Sequence, residues 1–147
     1  MKLVLILLAF AAGMLAPIQA GMNAKIGKTI HDPLYAALIS FVVGAIGLLT
    51  IALALRTDFT AIRQGGDLHW ATWGAGLLGA CYVTATIILT PRLGTALTFS
   101  LVVAGQLVIA LIMDHYGVFG IPVQAVNLPR IIGIILISAG VLLIRRF

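Results

Sequence analysis

Inside the long apolar runs of this chain few side chains can hydrogen-bond, and any chemistry must reside in them. Gln19 and Asn23 stand four apart, so on a helix they share one face. They lie just beyond Pro17, whose missing N–H frees a backbone carbonyl in the preceding turn. Gln106 sits halfway along another apolar run, with Thr98 and Val102 on the same stripe. Tyr82 and Thr84 add hydroxyls, although a helical Thr often bonds the carbonyl one turn back. An amide at that depth needs a partner: another helix, a second copy of the chain, or a bound polar molecule. Gln19, Asn23, Tyr82 and Gln106 are therefore the expected substrate-binding residues, with helix packing as the alternative use of each.

The titratable groups are peripheral. Asp114 and His115 close the fourth apolar run, roughly 28 Å along a helix from Thr95. Arg92 lies in the short link Pro91-Arg92-Leu93-Gly94. These three are candidate gating or ionic groups. His115 has the chemistry of a proton sensor near neutral pH, and Arg92 could meet an anionic lipid or substrate. Solvation and snorkelling are the plainer roles. Cys81 reads as a buried apolar filler. There is no P-loop, dinucleotide fingerprint, metal-ligand spacing or nucleophile–base pair. No enzyme activity, cofactor or metal is expected.

The elements that must position these groups are membrane helices. Of 147 residues, 62% are hydrophobic and 9% charged, against about 45–50% apolar and about 25% charged in a soluble domain. A small soluble domain must keep a wetted surface, which this composition cannot supply. Nine Lys/Arg against four Asp and no Glu give a net charge of +5. The cations stand singly at the ends of apolar runs, so they read as topology signals, and no nucleic-acid partner is expected.

A span needs about 20 mostly apolar residues. The expected spans are 3–24, 33–55, 68–90, 95–114 and 128–146, forming a single five-helix membrane domain over 1–147. Asp32-Pro33 is an N-cap followed by proline at the first helical position. Residues 57–66 are polar and form a loop. Pro91 ends the third helix, and the short link after it makes the third and fourth helices antiparallel neighbours. Residues 116–126 lie along the interface, and Asn127 caps the fifth helix. The first run continues apolar to Ala24, so it reads as a span and not as a cleaved leader. Small residues recur at packing intervals: Ser40 and Gly44, Ala75 and Gly79, Gly76 and Ala80. They serve packing within the chain or between copies.

With five spans the loops alternate between sides. One side collects Lys2, Arg56, Arg63 and Arg130; the other collects Lys25, Lys28, Arg92, Arg145 and Arg146. Orientation normally follows an excess of cytoplasmic Lys/Arg, and here there is almost none. Insertion in both orientations would let two copies pair as an antiparallel homodimer, an inverted-repeat transporter made from one chain.

Several stretches resemble a known family. Gln19-Ala20-Gly21-Met22-Asn23-Ala24-Lys25-Ile26-Gly27 is similar to the end of its first helix, and Thr90-Pro91-Arg92-Leu93-Gly94 to its third connection. Val102-Val103-Ala104-Gly105-Gln106-Leu107 and Asp114-His115-Tyr116-Gly117 resemble its fourth helix and exit. The family is that of the YdcZ-like inner-membrane exporters, within the drug/metabolite transporter superfamily. The resemblance implies a multi-pass protein of the bacterial inner membrane, five helices, export of a small molecule, and antiparallel pairing. Related small multidrug transporters depend on a membrane-embedded glutamate, and this chain has no Glu. A neutral, zwitterionic or anionic metabolite suits its amides and tyrosine better than a cationic drug. A channel or a non-transporting accessory subunit is the alternative function.

Overall fold

Hydrocarbon offers the backbone no water to bond, so a single apolar run can cross it only as a helix. The computed structural model describes residues 1–146, with every side chain among them except those of Gln64 and Asp67. Its regular structure is entirely helical, and five helices are long and apolar enough to cross a membrane. They are α1 (Lys2–Ile30), α2 (Pro33–Ala54), α3 (Ala75–Leu93), α4 (Thr95–Tyr116) and α5 (Leu128–Arg146). A one-turn helix, Trp70–Trp73, leads into α3.

The helix ends differ from the sequence expectation, each for a local reason. α1 does not stop at residue 24; it continues through Lys25 and Lys28 to Ile30 and ends at His31, whose φ is 60°. Cations are stabilised near the negative pole of a helix C-terminus, so these lysines fit within the helix. Asp32 then caps α2 as expected: its carboxylate accepts from the N–H groups of Leu34 (2.7 Å) and Tyr35 (3.3 Å), with Pro33 at the first position. Residues 57–66 are not an open loop, because Phe59–Asp67 winds as 3₁₀ turns. Asp58 caps that segment, and the hydroxyl of Thr60, then its N–H, hold the Asp58 carboxyl below its usual range.

Pro91 does not end the third helix. It lies within the last turn of α3, which runs on to Leu93, so Arg92 is helical. The proline costs α3 only the bond its N–H would have made to the Ile87 carbonyl. The break comes at Gly94, with φ 82° and ψ 155°, a region essentially restricted to glycine.

The helices group into two compact units, Met1–Arg92 and Leu93 onward. In the first, α1 and α2 form a hairpin about His31-Asp32. α3 contributes Val83 and Ile87 to a small buried cluster with Ala36 and Ala37, flanked by Ile26 and Tyr82. Gly27 makes this approach feasible. A methyl group there would stand 3.2 Å from Ile87 Cγ2 and 3.5 Å from both Ala36 Cβ and Pro33 Cα. In the second unit α4 and α5 pair, joined by residues 117–127. Most large apolar side chains face outward, including Leu3–Leu8 on α1 and Leu142–Ile144 on α5. Cys81 belongs with them: it is exposed on α3, not buried as expected. Lipid solvates such a surface, so little is buried, chiefly a few alanines, Val83, Ile87, Val141 and four polar residues.

Gly27→Val should therefore overpack the α1–α2–α3 junction and cost about 1–3 kcal/mol of stability. Gly21→Val, at a position with nothing within 4 Å, should leave it unchanged. Thermal unfolding of the two variants in detergent separates these outcomes, and equal melting temperatures would mean the junction is not tight.

Candidate substrate-binding site

A two-residue turn sets the register of the α1–α2 hairpin. Positions equally far from its centre face one another, so Asn23 opposes Ser40 and Gln19 opposes Gly44. The side chains meet accordingly. Asn23, 5% exposed, donates its Nδ2 to Ser40 Oγ at 3.1 Å, and Gln19 Nε2 donates to the same oxygen at 3.3 Å. Ser40 Oγ thus accepts two bonds and keeps its own proton to donate. The amide oxygens of Gln19 and Asn23 remain as acceptors. Donors and acceptors stand side by side in one polar node.

The node opens on a groove of about 290 Å³, lined by Gln19, Ser40, Phe41, Gly44, Ala45 and Leu48. Gly44 and Ala45 keep its floor low, and Phe41 and Leu48 make it apolar beyond the polar end. Phe41 also lines a second groove, of about 340 Å³, with Ala37, Ala80 and Thr84. Its ring lies where a methyl group on Gly79 would come within 3.5 Å. One aromatic side chain therefore borders both the polar groove and an apolar one. Thr84 donates to the Ala80 carbonyl at 2.8 Å and is satisfied within α3.

The other expected binding residues stand apart from this node. Tyr82, half-buried on α3, packs against the Ala36–Ala37–Val83–Ile87 cluster and does not line the polar groove. Gln106 is exposed on α4 and makes no hydrogen bond among the described residues. An unpartnered amide midway along a span is unfavourable against lipid, so its position calls for a further partner. Ser40 and Phe41 were missed by the sequence reading as site residues. The signal for Ser40 was available: its small-residue stripe faces Asn23 once the hairpin is centred at 31–32.

Of the candidate ionic groups, Asp114 and His115 serve the second unit. Asp114 pairs with Arg130 at 3.2 Å, both side chains about 30% exposed. Arg130 also donates to the Gln124 carbonyl at 3.2 Å and to the Gln124 side-chain oxygen. The N–H of Gln124 bonds the Asp114 carbonyl at 2.8 Å, and that of Val126 donates to His115 Nδ1 at 3.3 Å. Asn127 accepts from the Arg130 N–H, capping α5. The 117–127 connection is thereby fastened to the facing ends of α4 and α5. Arg92 is exposed at the end of α3.

Comparison with known proteins agrees with this architecture. The model of the family described as "Putative inner membrane exporter, YdcZ" matches residues 4–143. The inner membrane protein YdcZ of Escherichia coli (strain K12) is 31% identical over 137 residues, covering 92% of this chain and 91% of that one. No solved structure matches the chain.

Ser40→Ala should leave the buried Asn23 amide without its acceptor, at a cost of about 0.6 kcal/mol and at most about 1.7 kcal/mol. Because the two residues share one bond, the double variant Asn23→Ala/Ser40→Ala should cost less than the sum of the single changes. A double-mutant cycle on unfolding free energies measures this. Strict additivity would show that the node contributes no coupling.

Proposed function

The chain belongs to the YdcZ family of inner-membrane exporters, and from that premise we propose that it is a carrier exporting a small polar molecule by alternating access. It is a multi-pass membrane transporter of the inner membrane. The single observation that carries the finer reading is the Gln19–Asn23–Ser40 node at the end of an apolar groove. Such a node offers donors and acceptors without net charge, which suits a neutral, zwitterionic or anionic metabolite. Gln19, Asn23, Tyr82 and Gln106 are the proposed substrate-binding residues, with Ser40 added to them. Asp114, His115 and Arg92, at helix ends, are the proposed gating or ionic residues.

The functional unit is proposed to be an antiparallel homodimer. Four basic residues on one side of the membrane against five on the other give no strong orientation signal. Opposed copies would create the inverted symmetry that alternating access uses. A second copy would also cover polar groups, such as Gln106, that one chain leaves facing outward.

The transport reading is tested with protein in liposomes loaded with a small-metabolite extract, following efflux by mass spectrometry. At least one polar metabolite should leave at a saturable rate, and Gln19→Leu should slow it about tenfold, the upper end of the net value of one hydrogen bond. Flux that never saturates would instead mean a channel. Flux equal to that of empty vesicles would mean an accessory subunit.

The dimer reading is tested by orientation. With Cys81→Ala and one cysteine added after Phe147, an impermeant thiol reagent on intact cells should label about half of the molecules. Labelling near zero or near complete would establish one fixed orientation and rule out pairing of opposed copies.

A further inference from the structure

The first unit carries a different kind of pocket beside the turn between α1 and α2. It has a volume of about 210 Å³ and is walled by Ala24, Gly27, Pro33, Ile87, Ile88 and Pro91, with Lys28 and Arg92 also lining it. Two cations thus border one largely apolar cavity at the C-terminal ends of α1 and α3. Neither makes an ion pair or hydrogen bond among the described residues. Asp32, the acid nearest in sequence, has its carboxylate engaged by the Leu34 and Tyr35 N–H groups.

The local backbone does not neutralise them. Lys28 is in the last turn of α1 and Arg92 in the last turn of α3. Each helix end supplies only about half a negative charge, so two full positive charges are under-compensated. Hydrogen-bonding capacity is also left over nearby. Thr90, 7% exposed and one turn from Ile87, has a buried hydroxyl with no partner, and Pro91 leaves the Ile87 carbonyl without its helical donor.

We propose that this pocket binds a phosphate-bearing anion, held between the Lys28 ammonium and the Arg92 guanidinium. An Arg fork matches phosphate oxygens bidentately, while a Lys ammonium adds a point charge on a flexible stem. Basic pockets between membrane helices are suited to phosphate headgroups. The apolar walls from Ile87 and Ile88 would accommodate the base of an acyl chain. Two sources share this chemistry, an anionic lipid headgroup and a soluble phosphate ester. The site is separate from the Ser40 node, and the inference does not rest on the transport reading.

Native mass spectrometry of the full chain in detergent, with phosphatidylglycerol and phosphatidylcholine as probes, tests it. Wild-type protein should retain phosphatidylglycerol in preference to phosphatidylcholine. Lys28→Gln and Arg92→Gln should each weaken retention about fivefold, and the pair about twenty-five-fold. Lys2→Gln/Arg56→Gln, which removes two cations outside the pocket, should leave it unchanged. The single variants read the same quantity if the double variant does not fold. Retention insensitive to glycerol 3-phosphate would assign the site to the lipid headgroup; displacement by it would assign the site to a soluble phosphate ester. Equal retention by wild type and the Lys28/Arg92 variants, or equal loss in the Lys2/Arg56 control, would overturn the proposal.

Discussion

Everything in this molecule follows from the scarcity of hydrogen-bond partners in hydrocarbon. The backbone answers by closing its bonds within five helices. The short polar side chains answer in the same way: the hydroxyls of Thr50, Thr84, Thr86, Thr98 and Ser100 all donate to a carbonyl in the preceding turn. Once these are satisfied, the polar inventory inside the spans is short. Gln19 and Asn23 find Ser40; Gln106 finds no partner among the described residues. That is why a handful of amides draw attention here, when in a soluble protein they would pass as ordinary surface.

The same solvent removes the usual reason for helices to associate. Lipid tails are as apolar as leucine, so close contact and polar bonds must replace the hydrophobic effect between helices. The first unit shows both. Gly27, Ala36 and Ala37 let three helices approach closely, and the Ser40 node adds two directed bonds between α1 and α2. The large residues that would fill a soluble core point outward instead. Phe41, itself 40% exposed, borders both the polar groove and its apolar neighbour.

At the helix ends water returns, and charges become affordable. The two units use theirs differently. In the second, Asp114 and Arg130 neutralise each other and fasten the 117–127 connection to the helices it joins. In the first, Lys28 and Arg92 border a pocket whose lining, among the described residues, includes no acid. One arrangement satisfies itself; the other leaves two cations without an ion pair among the described residues. The near-even division of cations along the chain bears on orientation, which is a property of the whole molecule and not of either pocket.

The sequence by itself determined the class, the number of helices and several of their caps, because these depend on local quantities: the length of an apolar run, a capping carboxylate, a proline at the first turn. Asp32 at the head of α2 was legible for that reason. It did not determine where α1 and α3 end, because a lysine or a proline in a last turn is tolerated, and only the positive φ of His31 or Gly94 marks the break. Nor did it show Cys81 to be outward-facing, since an apolar thiol suits either side of a membrane helix. Gln19 and Asn23 could be picked out as polar groups on one helix face. That they converge on Ser40, while Tyr82 packs elsewhere, was decided by the tertiary structure alone. Hydrogen bonding across helices depends on which faces meet, and that choice is set by close contacts such as Gly27 against Ile87, between residues sixty positions apart.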